Sequence, residues 1–376
     1  MHKNTIVYFG IIQYEYNNAM CQHAEGIKTL IKASGFQAVT IGVSSSVRRG
    51  NIKKIDDTTY VVNDPQGMFE RARECVSSRD IMNVLQNIGL KRIKTFIMAD
   101  FRYFPMKVMA NFCKKQGIHF AVDIMDRFVS GNGFFSKIKK LDSELRMKYL
   151  YPKVARRIYI CRAYNELLGE GEHTSVIPGV TWTNYLPEEN SEDIIHLVFL
   201  GQPGLRCEKE KIDWVIRAIY EKKLVNKFKI HLAGFDKQVF LDYNPELNSF
   251  ITDNIIFWGH IHHDACLDLL KSADFSLVIR PDTMLSKYGF STKIGEAFSC
   301  GIPILTTDTS DNSVYVRNGS NGYVCECTYE AVVEMLEIVA CLTPFERYAM
   351  KKNVYSENPL NYRKYLDAFS KVVIND

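Results

Sequence analysis

The chain has 376 residues, 46% hydrophobic and 24% charged, with a formal net charge of +4. That length exceeds what one hydrophobic core ordinarily holds, so two globular domains are expected, and the composition excludes a disordered chain or a fibre. The small charge gives no ground for a nucleic-acid binder, and no apolar run reaches bilayer-spanning length.

Asn4 to Gly10 reads as a first strand. The apolar run around it, Ile6 to Ile12, is short and lacks the small-residue cleavage pattern of a signal peptide. Met20, Ala24, Ile27 and Ile31 then recur at helical spacing, Gly35 ends that helix, and Phe36 to Val43 supplies the next strand. Asn17 and Asn18, in the loop between, are either turn formers or ligand contacts. Lys94 to Met98, Pro105 to Lys115 and His119 to Ile124 continue as strand, helix and strand, an alternation that argues for a parallel sheet with helices on both faces. Asp123 and Asp126 fall at the carboxyl end of the last strand, where open α/β sheets place their ligands. Asp126 is the candidate to orient a substrate hydroxyl or take its proton. The alternative is that both carboxylates satisfy loop amides.

Residues 134–157 carry eight lysines and arginines against Asp142 and Glu144. This basic amphipathic stretch is either a surface for anionic lipid or a solvated face over a core stripe of Ile138, Leu141, Leu145 and Leu150. Arg157 to Cys161 and Thr174 to Ile177 read as strands, and the polar run from Pro187 to Asp193 as the domain linker.

The second domain opens with a strand, Ile195 to Gly201, a loop QPGLRCEKEK, and a helix, Ile212 to Tyr220. Lys229 to Gly234, Asn254 to Gly259 and Phe275 to Arg280 continue the strands, about six in all by their regular spacing. His260, His262 and His263 have no carboxylate or cysteine partner at metal-ligand spacing, so no metal site is assigned. The ten cysteines show no such spacing either and read as reduced thiols of a cytoplasmic protein. From Ser286 to Asp308 the chain reads as loop, helix, turn and strand. Ser291 or Thr292 caps the helix, Gly301-Ile302-Pro303 stops it, and Ile304 to Thr307 forms a buried parallel strand. A helix opening at the carboxyl edge of such a sheet offers N–H groups and the positive dipole end to an anion, and Glu296 follows about one turn later.

Here a resemblance becomes specific. Glu296-Ala297, Gly301 and Pro303 reproduce the Glu-Ala-x-x-x-Gly-x-Pro run of the nucleotide-sugar site in glycosyltransferase family four, retaining enzymes of the GT-B fold. Many members carry a second glutamate eight positions earlier, where this chain has Tyr288, but Ser291-Thr292-Lys293 is similar to a sub-branch with Ser/Pro-Thr-Lys. The turn Asn318 to Gly322 also resembles the family pattern.

The resemblance implies an α/β GT-B chain of two Rossmann-like doubly wound domains facing a cleft. Residues 1–186 would bind the acceptor, with 358–376 packing back on them, and 187–357 would bind the donor. Glu296 is implied to hold the ribose, Arg206 and Lys211 the diphosphate (Lys209 competes), and Ser291, Thr292 and Lys293 to add the helix start. Arg280 reaches phosphate or sugar, Asn17 and Asn18 line the cleft, and Asp126 serves the acceptor. The implied reaction is retaining transfer from a nucleotide-diphosphate sugar, UDP-sugar favoured, to a saccharide or lipid-linked saccharide. The donor phosphate would help deprotonate the attacking hydroxyl, and neither metal nor other cofactor is expected. Capsule or O-antigen synthesis, peripheral at the inner face of the cell membrane, is the implied setting. A sugar-nucleotide epimerase of the same fold and a non-catalytic subunit binding a partner transferase stand as alternatives.

Overall fold

The structure is a computed structural model and describes residues 3–14, 19–64, 78–125, 127 and 133–375. The chain forms two compact units, Met1–Val180 with Tyr362–Asp376, and Thr181–Asn361.

In the first unit the strands are β1 (Thr5–Phe9), β2 (Gln37–Ser44), β3 (Lys53–Asp56), β4 (Thr59–Asn63), β5 (Ile93–Ala99), β6 (His119–Ile124), β7 (Arg156–Tyr159) and β8 (Thr174–Val176). They form one sheet in the order β3-β4-β2-β1-β5-β6-β7-β8, parallel except for β3. Every residue of β1 is buried, as a central strand covered on both faces requires. The helices Ala19–Ala33 and Leu366–Val373 share one core with the sheet through Ile27, Ile31, Ile97, Phe369 and Val372. That last helix is also tied by its end carbonyls: Thr95 Oγ1 donates to Val373 O (2.6 Å) and Arg156 Nη1 to Val372 O (2.7 Å).

The second unit holds β9 (Ile195–Leu200), β10 (Phe228–Ala233), β11 (Ile255–Gly259), β12 (Phe275–Val278), β13 (Ile304–Thr307) and β14 (Gly322–Cys325) in the parallel order β11-β10-β9-β12-β13-β14. The order reverses between β9 and β12, so the loops leaving those two strands diverge and open a crevice at their carboxyl ends.

Two sequence-based expectations are corrected. The polar run 187–193 is no free linker, because a buried charge cluster fastens it to the second unit. Asp274, just before β12, is 1% exposed and faces Arg347 (3.4 Å) and Lys351 (3.7 Å), both also 1% exposed. Its Oδ2 accepts from Asn190 Nδ2 (3.1 Å) and from the His196 backbone N–H (2.8 Å), while Lys351 donates to Glu188 O (3.3 Å) and Arg347 to Glu192 O. The unit therefore begins at Thr181, which pairs with Asn361 in an isolated bridge. In the basic stretch, Ile138 and Leu141 are 43% and 60% exposed rather than core, while Met147 and Leu150 are buried. The helix Phe134–Leu145 gives way to a π turn, Arg146–Leu150, and the resulting shift in phase moves burial onto the later residues.

Removing Asp274 leaves two buried cations without a counter-charge. Asp274→Ala is expected to lower stability by about 3–5 kcal/mol in urea unfolding of the full chain. A loss below about 1 kcal/mol, the range of a surface pair, would show that the cluster does not hold this unit together.

Candidate active site

The loop leaving β9 turns on glycines. Gly201 has φ +111° and Gly234, after β10, has φ +109°; a Cβ on Gly234 would stand 2.7 Å from Gly201 O. Only glycine fits such a backbone approach. The loop ends with the Lys211 N–H donating to Ile279 O (2.6 Å), which ties it to the end of β12. Just before that tie, Glu210 is 4% exposed and pairs with Lys293 Nζ at 2.8 Å. Lys293 lies on the helix Thr292–Ser299, with its ammonium 5.0 Å from the Phe199 ring centroid. One ion pair thus joins the two stretches singled out in the sequence. It also commits Lys293: that cation neutralises Glu210, so it is not a free charge for a ligand.

The other basic candidates are placed differently. Arg206 is exposed, and its backbone N–H donates to the Glu208 carboxylate (2.8 Å). That backbone hydrogen bond holds the Glu208 carboxyl below the usual range, so the loop amides already bind an anion. Lys211 lies 5.6 Å from the Trp214 ring centroid. Arg280 Nη1 donates to Gly289 O (3.2 Å), while Thr307 Oγ1 accepts from the Arg280 N–H (2.9 Å) and donates to its carbonyl (2.6 Å). Arg280 therefore shapes the loop before the helix as well as presenting charge there.

Ser291 stands at the N-cap of Thr292–Ser299, but its hydroxyl makes no capping hydrogen bond, nor does that of Thr292 serve as cap. This corrects the expected side-chain cap: the Ile294 N–H donates to Ser291 O (3.1 Å), and the Thr292 and Lys293 N–H groups are left to be met from outside the helix. Glu296 is half-buried one turn on. Burial raises its carboxyl pKa against the opposing charges of His263 and Lys293. Among the described residues no side-chain hydrogen bond reaches this carboxylate, which leaves its oxygens as acceptors. His263, at the start of the helix His263–Ser272, was considered in the sequence only as part of a metal motif. Its place beside Glu296 arises from the packing of one helix against another, which no local pattern records.

In the first unit Asp126, Asn17 and Asn18 lie outside the described residues. The carboxyl edge of this sheet instead shows two other carboxylates. Asp100 Oδ1 accepts from Arg146 Nη1 (2.6 Å) and Tyr151 OH (2.6 Å), and Oδ2 from the Met125 N–H (2.8 Å). Asp123 does not satisfy loop amides with its side chain, as one reading had it. It is fully buried, and one oxygen accepts from Tyr8 OH (3.0 Å) and meets His23 Nε2 (2.8 Å). Sequence reading missed His23 because it lies on the buried face of an ordinary amphipathic helix, a hundred residues from its partner.

Residues 195–340 match the family described as glycosyl transferases group 1. The chain has the GT-B fold and carries a group 1 glycosyltransferase domain. Known structures agree in fold over nearly the whole chain. Sucrose-phosphate synthase from Thermosynechococcus elongatus is 13% identical, with a TM-score of 0.66 and 98% of each chain covered. Anabaena HepE, solved in complex with UDP and glucose, is 12% identical, with a TM-score of 0.63 and 98% of each chain covered. WaaG, a glycosyltransferase involved in lipopolysaccharide biosynthesis, is 13% identical, with a TM-score of 0.63 and 99% of this chain and 100% of that one covered. No curated protein matches the sequence. In this glycosyltransferase the group 1 domain coincides with the unit that holds Glu210, Lys293 and Glu296.

The ion pair gives a direct test. Lys293→Met leaves Glu210 buried and unpaired, and is expected to cost about 2 kcal/mol, less than a fully buried pair because Lys293 is 20% exposed. Adding Glu210→Gln to that variant is expected to restore most of the loss, measured as a double-mutant cycle by chemical unfolding. Additive losses would show that the two residues do not act as a pair.

Proposed function

We propose that this glycosyltransferase takes its sugar from a nucleotide-diphosphate sugar bound at the β9/β12 crevice and passes it, with retention, to a saccharide or lipid-linked saccharide. The observation that carries this reading is Glu296: a half-buried carboxylate, without a hydrogen-bond partner among the described residues, one turn above an uncapped helix start. A carboxylate in that setting accepts from a pair of vicinal hydroxyls such as those of ribose, while the helix N–H groups below it receive phosphate oxygens. Arg206, Lys211 and Arg280 supply the positive charge for the diphosphate, with no metal needed in this scheme. A UDP-sugar is the favoured donor, since HepE was solved with UDP and glucose. Surface polysaccharide assembly is the favoured setting, since WaaG acts in lipopolysaccharide biosynthesis.

A lipid-linked acceptor requires contact with a membrane surface. Among the described residues no helix is long and apolar enough to cross one. The first unit nevertheless exposes apolar side chains on two helices, Phe104 (51%) and Val108 (41%) on Tyr103–Gln116, and Ile138 and Leu141 on Phe134–Leu145. The Tyr103 N–H donates to Asp142 (2.9 Å), which brings Phe104 and Leu141, neighbours of the bonded pair, to one edge. Lys107, Lys137, Lys139 and Lys140 surround them, exposed. Peripheral attachment to anionic lipid follows from that chemistry.

The donor reading is tested by thermal shift with UDP, GDP, ADP and CMP and their common sugars. One nucleotide is expected to raise the melting temperature, and Glu296→Ala and Arg206→Ala to abolish the rise. Because the Glu296 pKa is raised and ribose binding favours the ionised form, affinity should weaken on acidification before ordinary carboxylates protonate. Glu296→Gln should bind weakly but without that pH step. No shift with any nucleotide would overturn the donor site, and sugar release without acceptor would turn the reading to an epimerase. For the membrane face, vesicles containing phosphatidylglycerol should retain the protein and pure phosphatidylcholine should not. Replacing Lys137, Lys139 and Lys140 with glutamine should weaken retention about a hundredfold, at ~1 kcal/mol per lysine. Equal retention by both vesicles would remove the lipid face.

A further inference from the structure

The Asp100 and Asp123 carboxylates lie at the same sheet edge but are not equivalent. Asp100 has a cation and two further donors on its oxygens, a closed arrangement. Asp123 has no cation beyond what His23 could carry. Its Oδ2 is met by both Tyr8 and His23, while Oδ1 is buried without a hydrogen-bond partner among the described residues. Tyr8 stays a donor, since burial and the Asp123 charge raise its pKa well above the ordinary phenol value.

This arrangement fixes the imidazole. A carboxylate oxygen 2.8 Å away accepts a hydrogen bond from Nε2–H, so whenever the ring is neutral its hydrogen stays there and Nδ1 is presented as a lone pair. No hydrogen bond to Nδ1 occurs among the described residues, and His23 is 5% exposed. His23 stands on the second turn of the helix that follows β1, and Asp123 near the carboxyl end of β6, the edge at which open α/β sheets bind their ligands.

We infer that His23, oriented by Asp123 and Tyr8, is a saccharide-binding residue of the first unit whose Nδ1 accepts a hydrogen bond from a sugar hydroxyl of the acceptor. In that tautomer the bare imidazole nitrogen needs a hydrogen-bond donor, which fully ionised phosphate and carboxylate ligands lack. A neutral polyhydroxyl group meets that condition. Asp123 and Tyr8 act through His23 and are positioning residues. The inference rests on the reading above that the acceptor is a saccharide.

The test uses the full chain, isotopically labelled on its histidine nitrogens, with the His23 signals identified by their loss in His23→Gln. Two-bond proton–nitrogen spectra are expected to show the Nε2–H tautomer. The His23 signals should move on adding one of the methyl glycosides of glucose, galactose, mannose or N-acetylglucosamine. The dissociation constant read from other signals that this glycoside moves should rise about tenfold in His23→Gln, the scale of one hydrogen bond. Asp123→Asn should disturb the tautomer if the variant folds, and Tyr8→Phe supplies a milder change to the same network. A proton on Nδ1, signals that no glycoside moves, or unchanged affinity in His23→Gln would overturn the inference. The nucleotide shift should be the same in His23→Gln as in the unsubstituted chain. If that chain itself shows no shift, the donor reading fails while the tautomer and glycoside results still judge His23.

Discussion

Burying Glu210 is the constraint from which the second unit's site takes its form. A carboxylate taken out of water needs a partner, and here the partner is Lys293, delivered by a different loop and helix. The pair pulls the β9 loop and the start of Thr292–Ser299 together, while the Lys211 N–H to Ile279 bond closes the same loop onto β12. Both ties span the point where the strand order reverses. The crevice that topology opens is thereby lined by segments held to each other rather than by independent loops.

The same strands are anchored at their other ends by a second buried carboxylate. Asp274 binds the His196 N–H at the start of β9 and sits directly before β12, with Arg347 and Lys351 supplying charge. A charge cluster at the amino ends and an ion pair at the carboxyl ends therefore hold the two switch-point strands in register. Since buried ionic clusters add little net stability over apolar packing, their effect is on which arrangement is adopted. If the loop grips a flexible diphosphate, as proposed, it gains from that definition more than from additional stability.

Much of this was legible in the sequence and some was not, for identifiable reasons. The core strands declared themselves because both faces are buried, so that Ile195 to Leu200 and Phe275 to Val278 read as near-continuous apolar runs. The hairpin β3–β4 did not, because all four residues of β3 are exposed and carry no hydrophobic period. Glu296 was legible because its run is local, with a glycine and a proline at fixed offsets. Glu210 and His23 were not, because each acquires meaning from a partner 83 or 100 residues away. The stripe of Ile138 and Leu141 misled for a third reason: helical spacing reports that a face is apolar, not whether protein or something else covers it.

The distribution of charge in the second unit narrows what the site can do. Lys293 is neutralised by Glu210, and the loop amides at Arg206 already hold the carboxylate of Glu208. On the proposed donor reading, a diphosphate would compete with Glu208 for those amides and would find its cations in Arg206, Lys211 and Arg280. Tyr288, 7% exposed, occupies the position where the resemblance expects a second glutamate and brings no negative charge there. The loop between Arg280 and Ser291 is thus more positive than the family pattern implies. Arg280 anchors that loop, bonded to Gly289 O and braced by Thr307, so that a ligand drawing on the Arg280 charge also pulls on the backbone that leads to the Thr292 helix start. On the proposed donor reading, phosphate recognition and the placement of Glu296 are coupled through one arginine, and a donor lacking the diphosphate would lose more than the contacts it fails to make.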